Sequence, residues 1–292
     1  MTTDLLASSK HDISSLLPAK LLPAVLSASK SSNADTRSKS IELFSAIISH
    51  TSDDAIRTKI ATEVLALPKT GKSASAEHRV ALFGMTKVLP PSDAISVQVI
   101  DTLIPIVAKE NNEAALVALA ENFEPHLGQV ITSEAPLAAT AGASLAKELN
   151  SAKLTTRRAL SNGVGRAIWT AHATGRAFSA EGRKLLAALA PAFETNLTTA
   201  SGNAPSNPAG FLEGYVAVSL ALGPLSDVEG AEKLSKSAIL ASLLVTSPKA
   251  SFLLNDKAYG KLPGDTDREW LLRALEVVVL RLADQLKTKE VR

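Results

Sequence analysis

Apolar residues recur at intervals of three and four along almost the whole chain, as in Ile56, Ile60, Val64 and Leu67, and again in Ile95, Val99, Leu103 and Ile106. That spacing collects them on one side of a 3.6-residue helix, and no stretch sustains the period-two alternation of a half-buried strand. Short polar side chains stand where helices should begin: Asn33 before ADTRSKS, Ser52 before DDAIR and Ser92 before DAISV. Such residues cap orphan amides at a helix N-terminus, and this punctuation predicts about twelve helices. The pattern is that of an all-α protein.

The helical units repeat. Asp54-Ala55-Ile56 returns as Asp93-Ala94-Ile95, an offset of 39 that also carries Ile60 to Val99 and Val64 to Leu103; shifted back, these positions fall on Leu17, Leu21 and Val25. In the intervening helices Phe44, Phe83 and Phe123 are spaced by 39 and 40. Each unit is thus expected to hold an A helix and a B helix, with one ring in the B helix. A hairpin of this size cannot cover its own apolar face, so successive hairpins must stack. The expectation is a HEAT-like α-solenoid of roughly forty-residue repeats running as a single array over residues 1–292. Asp35-Thr36-Arg37 resembles the Asp and Arg positions of HEAT repeats, although Ala76 stands where the offset places the second arginine. The period fades after residue 130. Loops are expected over residues 200–208 and at Gly223-Pro224, and a last helix over residues 265–287 with Trp270 on its apolar side. The chain then stops in TKEVR without a polar capping repeat, as expected of a piece of a longer array.

Composition narrows the chemistry. There is no cysteine, which removes disulfides, thiolate nucleophiles and sulfur-ligated zinc. No run resembles a signal peptide or a membrane span, so a cytoplasmic protein is expected. Gly71-Lys72-Ser73 copies the end of a phosphate-binding loop, but the glycine needed five residues earlier is Ala66. Gly163-Val164-Gly165 opens a dinucleotide fingerprint whose third glycine would be Ile168. Close helix packing suits that pair better. His11, His50, His78, His126 and His172 form no metal-ligand spacing. No enzyme, cofactor, metal site or small-molecule substrate is therefore expected.

Charge is unevenly spread although the balance is only +2. Residues 92–134 carry seven acids against Lys109, whereas residues 147–184 carry eight basic residues against Glu148 and Glu181. Arginine suits bidentate phosphate contacts, and a ring beside arginines can stack on an unpaired base. The candidate RNA-binding residues are Lys153, Arg157, Arg158, Arg166, Trp169, Arg176, Arg183 and Lys184. A helical wheel puts Leu160, Val164, Ala167 and Ala171 on one side and Arg158, Arg166 and Trp169 on the other. The competing reading packs Trp169 on the next repeat and leaves the arginines as a solvated face or paired with acidic neighbours.

Near the C-terminus, Ser247-Pro248-Lys249-Ala250-Ser251-Phe252-Leu253-Leu254-Asn255-Asp256-Lys257-Ala258-Tyr259 is followed by Asp267-Arg268-Glu269-Trp270-Leu271-Leu272-Arg273-Ala274-Leu275-Glu276. These segments resemble the N-terminal part of the general-control-nonderepressible translational activators. That family comprises very long HEAT-repeat proteins that, with an ATP-binding-cassette partner, activate the starvation-sensing kinase of the initiation-factor-two alpha subunit on ribosomes. The resemblance implies a ribosome-associated scaffold, with ribosomal protein or ribosomal RNA and other proteins as partners. The alternative is a HEAT-repeat protein-binding adaptor of transport or phosphatase-scaffold type, without RNA contact.

Overall fold

The computed structural model describes residues 20–70, 75–137 and 140–198. Among them there are ten α-helices and no strand: α1 (Leu22–Ala28), α2 (Ala34–Ser49), α3 (Asp54–Thr70), α4 (Ala76–Lys87), α5 (Asp93–Val107), α6 (Glu113–Ala120), α7 (Phe123–Thr132), α8 (Ala141–Leu149), α9 (Leu154–Ala173) and α10 (Ala180–Thr198). The chain divides between Val130 and Ile131 into two compact units. The expected loops at residues 200–208 and Gly223-Pro224, the helix carrying Trp270 and the Gly71-Lys72-Ser73 turn lie outside the described residues.

Helix starts in the first unit follow the capping chemistry. Asn33 Oδ1 accepts from the Thr36 amide at 3.1 Å, and Ser92 Oγ from the Ile95 amide at 3.4 Å. Ahead of α3 the cap is Asp53 rather than the expected Ser52: its Oδ1 accepts from the amides of Ala55 and Ile56 at 2.8 and 3.1 Å. A carboxylate there also suits the positive end of the helix dipole, which makes it the better acceptor of the two.

The hairpins α1–α2, α3–α4 and α5–α6 each pack internally. Their B helices α2, α4 and α6 lie side by side in one layer, and α3 lies against α5 in the other. This is the all-α, solenoid-like architecture expected from the repeat. The A-helix residues Ile60, Val64, Val99 and Leu103 are fully buried, as are Phe44, Phe83 and Phe123. Burying each such side chain contributes about 1.5–3 kcal/mol. Val25 is buried while Leu21 is only half so, and Leu17 lies outside the described residues.

The third helical repeat departs from the expected pattern. α6 ends at Ala120 and a new helix begins at Phe123, so this ring opens α7 instead of sitting within a B helix. The break falls at buried Asn122, whose Nδ2 donates to the carbonyls of Ala118 at 3.0 Å and Phe83 at 3.1 Å. A short amide side chain that bonds nearby backbone competes with helix continuation. The same junction holds a polar cluster. The Thr86 hydroxyl lies 2.7 Å from Asn122 Oδ1, His126 Nε2 donates to the Thr86 carbonyl at 3.1 Å, and Ser96 Oγ lies 3.2 Å from His126 Nδ1. Burial drives the His126 pKa down to about 4, against a smaller upward push from the Thr86 carbonyl.

Glu110, counted above in the acidic stretch, is buried in the turn between α5 and α6. Its carboxylate takes a two-pronged contact from Arg79, Nε to Oε2 at 2.8 Å and Nη2 to Oε1 at 3.0 Å. Oε1 also accepts from the amides of Asn111 at 3.0 Å and Asn112 at 2.9 Å. Burial pushes its pKa up, but the Arg79 bond and the two amides outweigh it and hold the carboxyl below its ordinary value. Glu110→Gln keeps the shape and removes the charge. Because Arg79 is partly exposed, the expected cost is about 2 kcal/mol rather than the full penalty of a buried pair. Urea unfolding at pH 7 measures it. The loss should shrink when Arg79→Gln is already present, whereas additive losses would mean that the two residues act separately.

Candidate nucleic-acid interface

All eight candidate residues fall in the second unit, where α8 packs on both α9 and α10. α9 is long because its apolar side is continuous: Leu160, Val164, Ala167, Ile168 and Ala171 are fully buried. Gly163 and Gly165 lie on buried parts of the same helix, in keeping with close packing and not with a nucleotide loop. The apolar side drawn by the wheel is buried, and the side opposite it is open in part. Arg166 is exposed, while Arg158 and Trp169 are half-buried on the flank of that side. The ring is thus less open than a stacking platform requires.

The cations are distributed over three levels. Lys153 occupies the N-cap position of α9 and is exposed, with Arg157 and Arg158, both half-buried, within the first two turns. No acidic residue stands in that first turn. Arg166 lies mid-helix. Arg176 is exposed in the turn after α9, which is tied down by Thr174 Oγ1 donating to the Ala171 carbonyl at 2.8 Å, and Arg176 Nε donates to Thr174 Oγ1 at 3.3 Å. Gly175 turns the chain there with φ +72°, a left-handed conformation that costs glycine little.

Arg183 and Lys184 are exposed at the start of α10. Lys184 pairs with Glu181 at 2.6 Å, one helical turn back. This bond raises the lysine pKa, with further Coulombic support from Glu181 and Glu134. Glu134 Oε1 also accepts from the Ala180 amide at 3.3 Å. Acidic side chains therefore temper the charge at the α10 end, and the sequence between Glu148 and Glu181 contains no acid. The eight residues do not converge on one point. They line α9 and continue through the turn into α10.

The first turn of α10 is seated by an approach that the sequence did not signal. The Ser179 amide donates to the Ile131 carbonyl at 3.1 Å, and Ser179 Oγ accepts from the Gly182 amide at 2.9 Å. Gly182 then lies so close to the Ile131 backbone that no Cβ fits.

Among the described residues no group of three or more His, Asp or Glu side chains could hold a metal ion, and no helix is long and apolar enough to cross a membrane. No curated protein and no solved structure matches the chain. The family described as general control nonderepressible 1 (Gcn1) N-terminal matches residues 76–292, from the first residue of α4 through both C-terminal segments quoted above. With the all-α hairpin stack and a match over most of its length, the chain belongs to the Gcn1 N-terminal family of translational activators.

Proposed function

We propose that this chain is a non-enzymatic scaffold segment that associates with ribosomes in the cytoplasm and promotes stress-kinase activation during amino-acid starvation. Family membership supports the reading, and the observation that carries it to particular residues is the acid-free basic run along α9. The ribosome is the partner because its phosphate-rich surface rewards such a run, each neutralised phosphate releasing counterions. The protein-only adaptor is the outcome to expect if that surface proves idle.

Reversing Arg157, Arg158 and Arg166 to Glu should weaken ribosome association and flatten its dependence on salt. Loss of each phosphate contact lowers the logarithmic slope by about 1. Reversing the exposed acids Glu113 and Glu121 should leave association intact or strengthen it. Thermal melting is measured alongside, because the stems of half-buried Arg157 and Arg158 also pack. A folded triple variant that keeps the original salt slope would transfer the contact elsewhere and favour the adaptor.

A further inference from the structure

We infer that Ser32, in the turn between α1 and α2, is a phosphorylation site whose phosphate is received by Arg37 and fastens that turn. The inference is independent of the ribosomal reading above. A protein kinase needs a hydroxyl that it can reach and a charge pattern that it can read. Ser32 is exposed, and among the described residues no group bonds its hydroxyl. Asp35, three residues later, is exposed as well and suits a kinase that selects its substrates by an acid at that position. Among the described serines and threonines, the other with such an acid is Thr51, before Asp54. It is fully buried, and its hydroxyl donates to the Ile47 carbonyl at 3.1 Å. Ser31, beside Ser32, is half-buried and its Oγ accepts from the Asn33 amide at 3.2 Å.

The receiver is already in place. Arg37 reaches back over the turn and donates through Nη1 to the carbonyls of Ser31 at 2.8 Å and Ser32 at 2.9 Å. Among the described residues no group accepts from its Nε or Nη2, which leaves that side of the guanidinium to donate to a phosphate on the adjacent side chain. The phosphate also stands next to exposed Lys30 and at the N-terminus of the 16-residue α2, where the helix dipole favours negative charge. Asp35 and Glu77 oppose it. Bonds to its own amide and to Ser75 lower the Glu77 pKa, and the charge of Arg37 adds to them. Arg37 outweighs these acids because its guanidinium is held at the Ser32 carbonyl itself. In the transfer, Ser32 Oγ attacks the γ-phosphorus of ATP, and the Oγ–P bond forms as the bond from that phosphorus to the β,γ-bridging oxygen breaks. ADP leaves, and the hydroxyl proton passes to a carboxylate of the kinase. The first turn of α2 has to fray for the segment to enter a kinase cleft, as helix ends do.

The test treats the folded full chain with ATP and an acid-directed serine/threonine kinase and locates the phosphate by mass spectrometry of peptides. Location matters because Ser9, Ser226 and Thr266, outside the described residues, also precede acids by three. Ser32 should be modified, and Asp35→Asn should slow its modification by about tenfold, the effect of one lost charge contact. Phosphate on Ser32 should raise the melting temperature by about 3 °C. That figure is the rise on kinase treatment in the parent chain less the rise in Ser32→Ala, which removes the contribution of other sites. Arg37→Gln can still donate to a carbonyl but carries no charge, and in it the Ser32-dependent rise should fall by more than half. Each rise is read within its own background, so a lower starting stability of the Arg37 variant does not obscure it. A folded chain left without phosphate on Ser32 would overturn the inference. So would a phosphate that leaves melting unchanged or lowers it, or an equal rise in Arg37→Gln.

Discussion

Gly182→Ala should destabilise the second unit by roughly 3 kcal/mol, although alanine is ordinarily the better helix former by about 1 kcal/mol. The added methyl would meet three backbone atoms of Ile131, its carbonyl oxygen, carbonyl carbon and Cα, and a backbone cannot rotate aside as a side-chain tip can. The Ser179 amide holds that same carbonyl, so α10 would have to lose its seat or drag residue 131 with it. Gly175 supplies the control: a Cβ there meets nothing within 4 Å, and alanine at φ +72° should cost only about 1–2 kcal/mol in backbone strain. Denaturant unfolding of the two variants measures the difference. Equal losses would show that α10 does not press on Ile131.

His126 should make the first unit acid-sensitive. Its ordinary pKa of 6.5 applies to the unfolded chain, and burial lowers it to about 4 in the fold. As pH falls below 6.5, the unfolded chain takes up a proton that the folded one refuses until about pH 4. The unfolded state therefore binds more protons across this window, and stability rises with pH through it, at up to about 1.4 kcal/mol per pH unit. Between pH 7 and pH 5 the loss from this residue should be about 2 kcal/mol. His126→Gln retains a donor toward the Thr86 carbonyl but cannot titrate. The stability gap between the parent chain and this variant should therefore narrow by about that amount on moving from pH 7 to pH 5. A gap independent of pH would place the imidazole in contact with water.

How far the sequence could be read depends on the range of the interaction. Ile60, Val64, Val99 and Leu103 were legible because stacking forces successive A helices to bury equivalent positions, and the same packing logic put Leu160, Val164, Ala167 and Ala171 inside. Capping is local, so Asn33 and Ser92 were legible too, while Asp53 beside Ser52 required knowledge of which oxygen reaches back to the amides. The fixed offset of 39 failed for Arg79. Both α2 and α4 begin with alanine, at Ala34 and Ala76, and Arg37 and Arg79 are each the fourth residue of their helices. α3 runs six residues past Val64 where α1 runs three past Val25, and those extra three residues shift the register, hiding Arg79 behind Ala76.

Long-range polar pairings were not legible. Glu110 looked like one charge in an acidic surface and is instead the buried partner of Arg79; Asn122 and Gly182 gave no periodic signal. Of the candidate interface, the exposure of Arg166 opposite the buried Leu160, Val164, Ala167 and Ala171 was legible from the wheel. The half-burial of Trp169 was not, because it depends on side chains from other helices.

Sedimentation of the purified chain with salt-washed ribosomes tests the central claim most directly. The chain should travel with the ribosomes at low ionic strength and be released steeply as salt rises, the signature of phosphate contacts giving up their hold to counterions. A folded chain that stays in the supernatant even at the lowest salt would contradict it.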